Sequence, residues 1–184
     1  RDIGRIEQIW ADYTGAGVAV GVYDDGLEWS HPDLNDNYEP SRHVVFDGTV
    51  LDPATGGATH GTAVAGLIAA EADGTGIVGT AFGARLTGLN MITGVAGAGS
   101  ADLTAFVTAM EAMTGFDVVN HSWGSTPGFD ATPEALAFFA AALPTFAAAS
   151  EDGRGGLGTL LVKSAGNDAA NSQGDLLDAS RHSI

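Results

Sequence analysis

The chain has 184 residues, 45% of them hydrophobic, and its 23 acidic against 7 basic side chains give a formal net charge of -16. The length suits one domain with a substantial core, and the hydrophobic content argues against a disordered chain. The acidic excess disfavours nucleic acids and anionic membranes as partners and suits calcium or cationic substrates, although an acidic proteome or salty habitat explains it equally well. Because there is no cysteine, disulfides, cysteine–zinc sites and thiol nucleophiles are excluded.

Hydrophobic periodicity predicts the secondary structure in chain order. A short amphipathic helix, with isoleucines at helical spacing from Ile3 to Ile9, precedes the first strand. The predicted strands are Val18–Tyr23, Val44–Phe46, Arg85–Ile92, Val118–His121 and Thr159–Ala165. The predicted later helices run from about His60 to Ala72, from Ser100 to about Met113, and from Thr132-Pro133-Glu134 onward, with loops over Asp47–Thr59 and Gly153–Gly158. Strands that alternate with helices predict a mostly parallel α/β sheet covered on both faces, within one compact unit over residues 1–184.

Polar side chains follow three of the predicted strands. Asp24, Ser122 and Asn167 each come directly after or near a strand end, and His60 opens the alanine- and glycine-rich helix. Sites in parallel sheets lie beyond the carboxyl ends of the strands, so these side chains are expected at one edge. An aspartate and a histidine are two of the three members of a nucleophilic triad.

Several ordered segments resemble the subtilisin-like serine proteases, and within them the kexin/furin branch, for which the doubled acid Asp24-Asp25 is typical. The matching segments are Val22–Gly26 continued through Leu34, His60–Gly66, Gly76–Ala81, Val118–Gly124, and Gly153–Gly158 followed by Lys163–Asn167. The resemblance covers nearly the whole chain. It implies a three-layer subtilisin-like fold with a mostly parallel central sheet.

The resemblance assigns a catalytic role to three residues. His60 would take the proton from a serine hydroxyl and return it to the leaving amine, since an imidazole has a pKa near neutrality. Asp24, which lies two residues before Gly26 as the family pattern requires, is chosen over Asp25 to orient the imidazole. Asn167 would donate its side-chain amide to the oxyanion of the tetrahedral intermediate. Taken alone, Asn167 also suits a left-handed turn after a strand.

Substrate binding is implied for a second set of residues. Ser122, Trp123 and Gly124 would offer backbone groups to an extended peptide, although a strand end with a core tryptophan reads the same way. Asp178 matches an acid in the first specificity pocket of kexin-type enzymes, which prefer basic residues. A second pocket acid is missing, because Ser125–Gly128 stands in its place, and Asp130 is a possible substitute.

A structural calcium site is implied by Asp33 and the loop Glu71–Ile77. Asp33 matches a family calcium ligand, and the loop is rich in the oxygens that calcium prefers, so the expected ligands are Asp33, Glu71, Asp73 and Ile77. The choice between Asp73 and Thr75 stays open. The alternative is an acidic turn that is simply solvated.

The family's nucleophile lies in a Gly-Thr-Ser motif well downstream of the oxyanion asparagine, and no such motif follows Asn167. Ser172, Ser180 and Ser183 lack that context. We therefore expect a catalytic domain truncated at both ends, which is inactive alone and belongs to a secreted or periplasmic serine endopeptidase together with a missing C-terminal part. The alternative is a non-catalytic binding or scaffold module, which would not need Asp24, His60 and Asn167 together.

Overall fold

The computed structural model describes residues 5–51, 58–92, 103–123 and 133–164, the last without the side chains of 133–139. The strands are β1 (Ala19–Asp24), β2 (Val45–Phe46), β3 (Thr49–Val50), β4 (Arg85–Asn90), β5 (Val118–His121) and β6 (Leu160–Lys163). The helices are α1 (Ile6–Ile9), α2 (Thr59–Ala69), α3 (Leu103–Glu111) and α4 (Pro133–Gly156), with 3-10 turns at Pro40–Arg42 and Ala112–Gly115.

Four parallel strands form the central sheet in the order β4-β1-β5-β6. In β1, Val20 pairs with Leu86 of β4 and with Val118 of β5. Every residue of β1 is buried, because the strand has a neighbour on each side and helices on both faces. The apolar run Val18–Tyr23 was therefore correctly interpreted as a buried strand.

Two apolar clusters cover the two faces of the sheet. Helix α2 packs on one face, where Val20 and Val22 of β1 meet buried alanines of the helix. Helices α3 and α4 pack on the other face, where Tyr23 is buried and donates its hydroxyl to the carbonyl of Ala109 at 2.8 Å. Alternate residues of β1 thus enter opposite cores, as the twofold period of a strand requires. The predicted three-layer α/β architecture is confirmed.

One predicted loop contains a hairpin instead. Val45–Phe46 pairs antiparallel with Thr49–Val50 through a two-residue turn at Asp47-Gly48, whose φ angles are 47° and 72°. Asp-Gly is a preferred pair for such a turn because both residues tolerate positive φ. The expectation of an unbroken loop from Asp47 to Thr59 was therefore wrong at its start.

Two helices end at different positions from those predicted. Helix α2 stops at Ala69 rather than Ala72, because Ala70 is extended and its carbonyl accepts the N–H of Gly79. Helix α4 continues through Pro144, and its backbone departs from helical geometry at Gly153–Gly155, inside the predicted glycine loop. No helix in the described part of the chain is long and apolar enough to cross a bilayer.

Candidate active site

The carboxyl end of β1 meets the first turn of α2. Asp24 is the last residue of β1 and is fully buried, whereas the side chain of His60, the second residue of α2, is 60% exposed. The Nδ1 of His60 lies 2.7 Å from the Oδ1 of Asp24. The same Oδ1 accepts the backbone N–H of Asp25 at 2.8 Å. The predicted pair is therefore assembled, with the histidine at the surface and the carboxylate beneath it.

A glycine allows the helix to approach this strand end closely. A Cβ at Gly61 would lie 2.0 Å from the carbonyl oxygen of Gly26 and 2.9 Å from the Cβ of Asp24, so no side chain fits there. The next residue, Thr62, accepts the backbone N–H of Glu28 through its Oγ1 at 2.9 Å. Gly61 and Thr62 thus bring His60 to Asp24.

The second acid holds the backbone of the helix. The carboxylate of Asp25 accepts the N–H of Gly61 at 2.7 Å and the N–H of His60 at 3.2 Å. The sequence pattern assigns Asp25 no role beyond the family resemblance. The doubled acid was visible in the sequence, but its contact depends on the placement of α2.

Burial and pairing act on the two side chains of the pair. Burial raises the pKa of Asp24 above its usual range, and the hydrogen bond to His60 opposes that shift. Hydrogen bonding to Asp24, and then its negative charge, raise the pKa of His60 above the ordinary 6.5. The Oδ2 of Asp24 is buried without a hydrogen-bond partner among the described residues. A carboxylate in this setting stabilises the imidazolium form of His60.

Ser122 and Trp123 follow β5 at the same edge of the sheet, because Tyr23 and His121 are paired in register. The Oγ of Ser122 accepts from the side-chain amide of Asn120 at 2.9 Å. Trp123 is half-buried against the core. The ammonium group of Lys163 donates a hydrogen bond to the carbonyl of Trp123, and its Nζ lies 5.7 Å from the centroid of the indole ring. The segment is therefore a strand end with a packed tryptophan, and its role in substrate binding stays a prediction.

His121 is a buried histidine to which the sequence pattern assigns no functional role. It is 1% exposed, its Nδ1 accepts the indole N–H of Trp123 at 3.1 Å, and its Nε2 lies 3.4 Å from the Sδ of Met113. Burial, reinforced by the charge of Lys163, lowers its pKa to about 3. The alternation of β5, in which Val119 and His121 face inward, was the signal that could have found it.

Asp33 and the loop after α2 are in contact. The Oδ2 of Asp33 accepts the N–H of Ile77 at 3.1 Å, and its carbonyl accepts the N–H of Glu71 at 2.9 Å. The side chains of Glu71 and Asp73 are engaged elsewhere, Glu71 with the N–H of Asp36 and Asp73 with Thr75. Within the described ranges, no three His, Asp or Glu side chains converge as a metal-binding group. Of the three acids, Asp33 is the one outside the loop, and its carboxylate contacts the loop backbone at Ile77.

Three of the predicted site residues lie outside the described residues. They are Gly124 of the substrate segment, Asn167 and Asp178, and Asp130 lies outside them too. Their roles remain predictions from the sequence.

A parallel sheet lies between helical layers, and at one strand end a buried aspartate is hydrogen-bonded to a histidine that opens a helix. This is the geometry that an aspartate and a histidine have in a nucleophilic triad. The model of the subtilase family, Peptidase S8, matches residues 15–181. The chain belongs to the subtilase family. Its relatives in that family are serine endopeptidases.

Kexin-type relatives are among the similar sequences. The chain is 34% identical over 178 residues to furin of Bos taurus, covering 91% of this chain and 21% of the relative. It is 36% identical over 176 residues to proprotein convertase subtilisin/kexin type 5 of Branchiostoma californiense, covering 89% of this chain and 10% of the relative. The kexin/furin-like resemblance is confirmed.

Solved structures share the fold. The serine protease of Aeromonas sobria matches with a TM-score of 0.68 and 30% identity, over 84% of this chain and 26% of that chain. Fervidolysin from Fervidobacterium pennivorans matches with a TM-score of 0.63 and 27% identity, over 93% and 24% respectively. The chain therefore spans about a quarter or less of the length of these relatives.

Proposed function

We propose that the protein containing this chain is a serine endopeptidase, in which Asp24 and His60 are two members of the catalytic triad. The observation that carries the proposal is the 2.7 Å contact between the Nδ1 of His60 and the Oδ1 of a fully buried Asp24. Membership of the subtilase family supports it. A contact of this kind fixes both the orientation and the tautomer of the ring, which a general base requires.

In this mechanism the two ring nitrogens of His60 have different tasks. Nδ1 carries a proton and donates a hydrogen bond to Asp24, so Nε2 is the basic nitrogen. Nε2 takes the proton of a serine hydroxyl as its oxygen attacks the peptide carbonyl carbon. The same nitrogen then gives that proton to the leaving amine, and a water molecule repeats the sequence on the acyl-enzyme. The charged imidazolium that forms in each half-reaction is stabilised by Asp24.

The remaining parts of the machinery come from residues that the described structure does not include. We propose that Asn167 donates its side-chain amide to the oxyanion, a contact whose loss typically costs about 100- to 1000-fold in kcat. The 184 residues contain no Gly-Thr-Ser sequence, so the serine is proposed to lie elsewhere in the protein. On this proposal, residues 1–184 form part of a catalytic domain and are inactive alone.

The proposed substrate is an extended peptide within a protein. Ser122, Trp123 and Gly124 would pair with its backbone, as an added strand does at a sheet edge. Asp178 would face a basic side chain of the substrate, and the kexin-type relatives support this preference. Because those relatives act in secretory or extracellular settings, we propose the same location here, secreted or periplasmic.

Calcium is the proposed structural cofactor. The subtilase family generally binds calcium, and the carboxylate of Asp33 lies against the loop Glu71–Ile77, whose main-chain oxygens would complete the site once Glu71 and Asp73 exchange their present partners for the ion. Calcium prefers such oxygen ligands. Its role would be to hold the loop onto the segment that follows β1.

A serine-directed fluorophosphonate probe tests the proposed activity. The folded protein that contains this chain should be labelled, and His60→Ala should abolish labelling because the serine is no longer activated. His43→Ala is the matched control, since His43 contacts Tyr38 at 2.5 Å and not Asp24. Absence of labelling in folded wild-type protein would refute the endopeptidase.

The melting temperature with and without a calcium chelator tests the metal site. Bound calcium at about 100 times its Kd stabilises a fold by roughly 2.7 kcal/mol, so the chelator should lower the melting temperature. Asp33→Asn should remove the effect, whereas Asp12→Asn, which alters an exposed acid outside the proposed ligand set, should keep it. An unchanged wild-type melting temperature would rule out this calcium site.

A further inference from the structure

The first turn of α2 lacks a cap of its own. The residue before the helix is Ala58, whose methyl group cannot accept a hydrogen bond, although the first backbone N–H groups of any helix need partners. Asp25 supplies them from the end of β1. Its Oδ1 accepts the N–H of Gly61 at 2.7 Å and its Oδ2 accepts the N–H of His60 at 3.2 Å. Both oxygens of one carboxylate are therefore used on consecutive amides.

His60 is consequently held at two points by two consecutive acids. Asp24 binds the imidazole at Nδ1, and Asp25 binds the backbone amide of the same residue. A shift of the helix would move the whole histidine relative to Asp24. The ring position therefore depends on the backbone contact as well as on the side-chain contact.

The anchor itself is fixed to the sheet. Asp25 forms an antiparallel bridge with Asn90, and its own N–H is donated to the Oδ1 of Asp24. On the helix side, the space at Gly61 is filled by the carbonyl oxygen of Gly26, which would lie 2.0 Å from an added Cβ. The helix thus cannot come closer to the strand end, and the Asp25 carboxylate opposes its withdrawal.

We propose, on the basis of the serine endopeptidase function, that Asp25 is a positioning residue that holds the backbone of the general base His60 in register with Asp24. The role needs a carboxylate, because an amide offers one acceptor oxygen for two N–H groups. A negative charge is also favourable beside the N-terminus of a helix. The two adjacent acids then divide the work, one acting on the imidazole and the other on the helix that carries it.

Steady-state kinetics of the protein that contains this chain test the proposal. Asp25→Ala should lower kcat by about 10- to 100-fold through misplacement of the base, with KM changed by less than about twofold. The kcat of Asp25→Asn, which keeps one acceptor oxygen, should lie between that of Asp25→Ala and that of the wild type. Glu39→Ala is the matched control. The side chain of Glu39 also accepts a backbone N–H at the start of a helical turn, that of Ser41, but it makes no contact with His60 or with Asp24.

A second readout separates positioning from general stability. The low-field NMR resonance of the His60 Nδ1 proton should weaken or shift in Asp25→Ala and persist in Glu39→Ala, both measured on protein shown to be folded by circular dichroism. If Asp25→Ala does not fold, Asp25→Asn carries both measurements. An unchanged kcat together with an unchanged resonance overturns the proposal, as does a rise in KM alone, which would make Asp25 a substrate contact. If the folded wild-type protein has no activity, the proposed endopeptidase function is wrong, and the His60 resonance alone tests the role of Asp25.

Discussion

His60 opens helix α2 and His121 ends strand β5, and the two side chains lie in opposite environments. The side chain of His60 is 60% exposed and bonds a carboxylate through Nδ1, whereas His121 is 1% exposed and accepts an indole N–H at the same ring nitrogen. Around His121 stand Tyr23, with ring centroids 4.9 Å apart, and Phe146, at 5.9 Å. One ring faces solvent and an acid, and the other faces aromatic side chains and sulfur.

The consequence is that only one of the two can carry a charge at neutral pH. Asp24 raises the pKa of His60, while burial and the charge of Lys163 lower the pKa of His121 to about 3. A general base must accept a proton during the reaction, so its cation must be tolerated. The partner and the solvent exposure of each ring, and not the residue type, therefore separate a histidine that can act as a base from one that cannot.

The largest expected effect is on catalysis. In the endopeptidase, His60→Ala and Asp24→Asn should each lower kcat by about 10⁴-fold or more, since the first removes the base and the second leaves the ring in the wrong tautomer. His121→Phe, which keeps an aromatic ring in the core, should lower kcat by less than about tenfold. Peptide hydrolysis by the three variants measures this. Comparable losses at both histidines would break the distinction between them.

The next effect is acid destabilisation through His121. The unfolded chain binds the His121 proton near pH 6.5 and the folded chain only near 3, so the unfolded state holds more protons between these values. The free energy of unfolding should therefore fall as the pH falls below 6.5, by up to about 1.4 kcal/mol per pH unit from this group. Urea unfolding at pH 7 and pH 5 measures how steeply the free energy of unfolding changes with pH, and this pH dependence should be shallower in His121→Phe. Equal slopes would show that His121 is not buried in the neutral form.

The support of His60 can be broken through Gly61. Gly61→Ala would place a methyl group 2.0 Å from the Gly26 carbonyl oxygen, so α2 must shift. We expect a loss of about 1–3 kcal/mol in stability from overpacking, together with reduced kcat. Gly115→Ala is the control, because nothing lies within 4 Å of its added Cβ, and its effect should stay within about 0.5 kcal/mol. Equal urea midpoints for the two variants would contradict the tight contact.

The smallest effect is the pH dependence of stability through His60, which has the opposite sign. Because the folded-state pKa is raised above 6.5, the stabilisation is fully present below 6.5 and is lost as the pH rises through the folded-state pKa. The change should be smaller than that of His121, since water screens an exposed ring. Urea midpoints at pH 6 and pH 9 should differ in wild type, and the difference should shrink in Asp24→Asn. Enzyme activity should rise between pH 6 and pH 9 as His60 becomes neutral. A wild-type protein that is more stable at pH 9 than at pH 6 would contradict this prediction.

Much of the framework could be predicted from local pattern. The apolar run of β1 predicted a strand buried on both faces, and Asp24 and His60 could be paired from their positions after a strand and at a helix start. The hairpin at Asp47-Gly48 was missed although its turn signal was present, because the flanking strands have only two residues each. The early end of α2 was missed because the contact of Ala70 with Gly79 is not local.

The sequence by itself determined the parallel α/β sheet, the family and the identities of Asp24 and His60, because strand periodicity, glycine positions and ordered motifs are properties of neighbouring residues. Only the tertiary structure decided what surrounds each side chain. The two amide contacts of Asp25, the burial of His121 and the separate partners of Asp33, Glu71 and Asp73 follow from where α2, β5 and the loop after α2 pack. Burial and hydrogen-bond partners set the pKa values, and they depend on segments far apart in the chain. The sequence motif therefore predicted which histidine can act as a base. The contacts that allow it to do so, with Asp24 and Asp25, depend on how α2 packs against the end of β1.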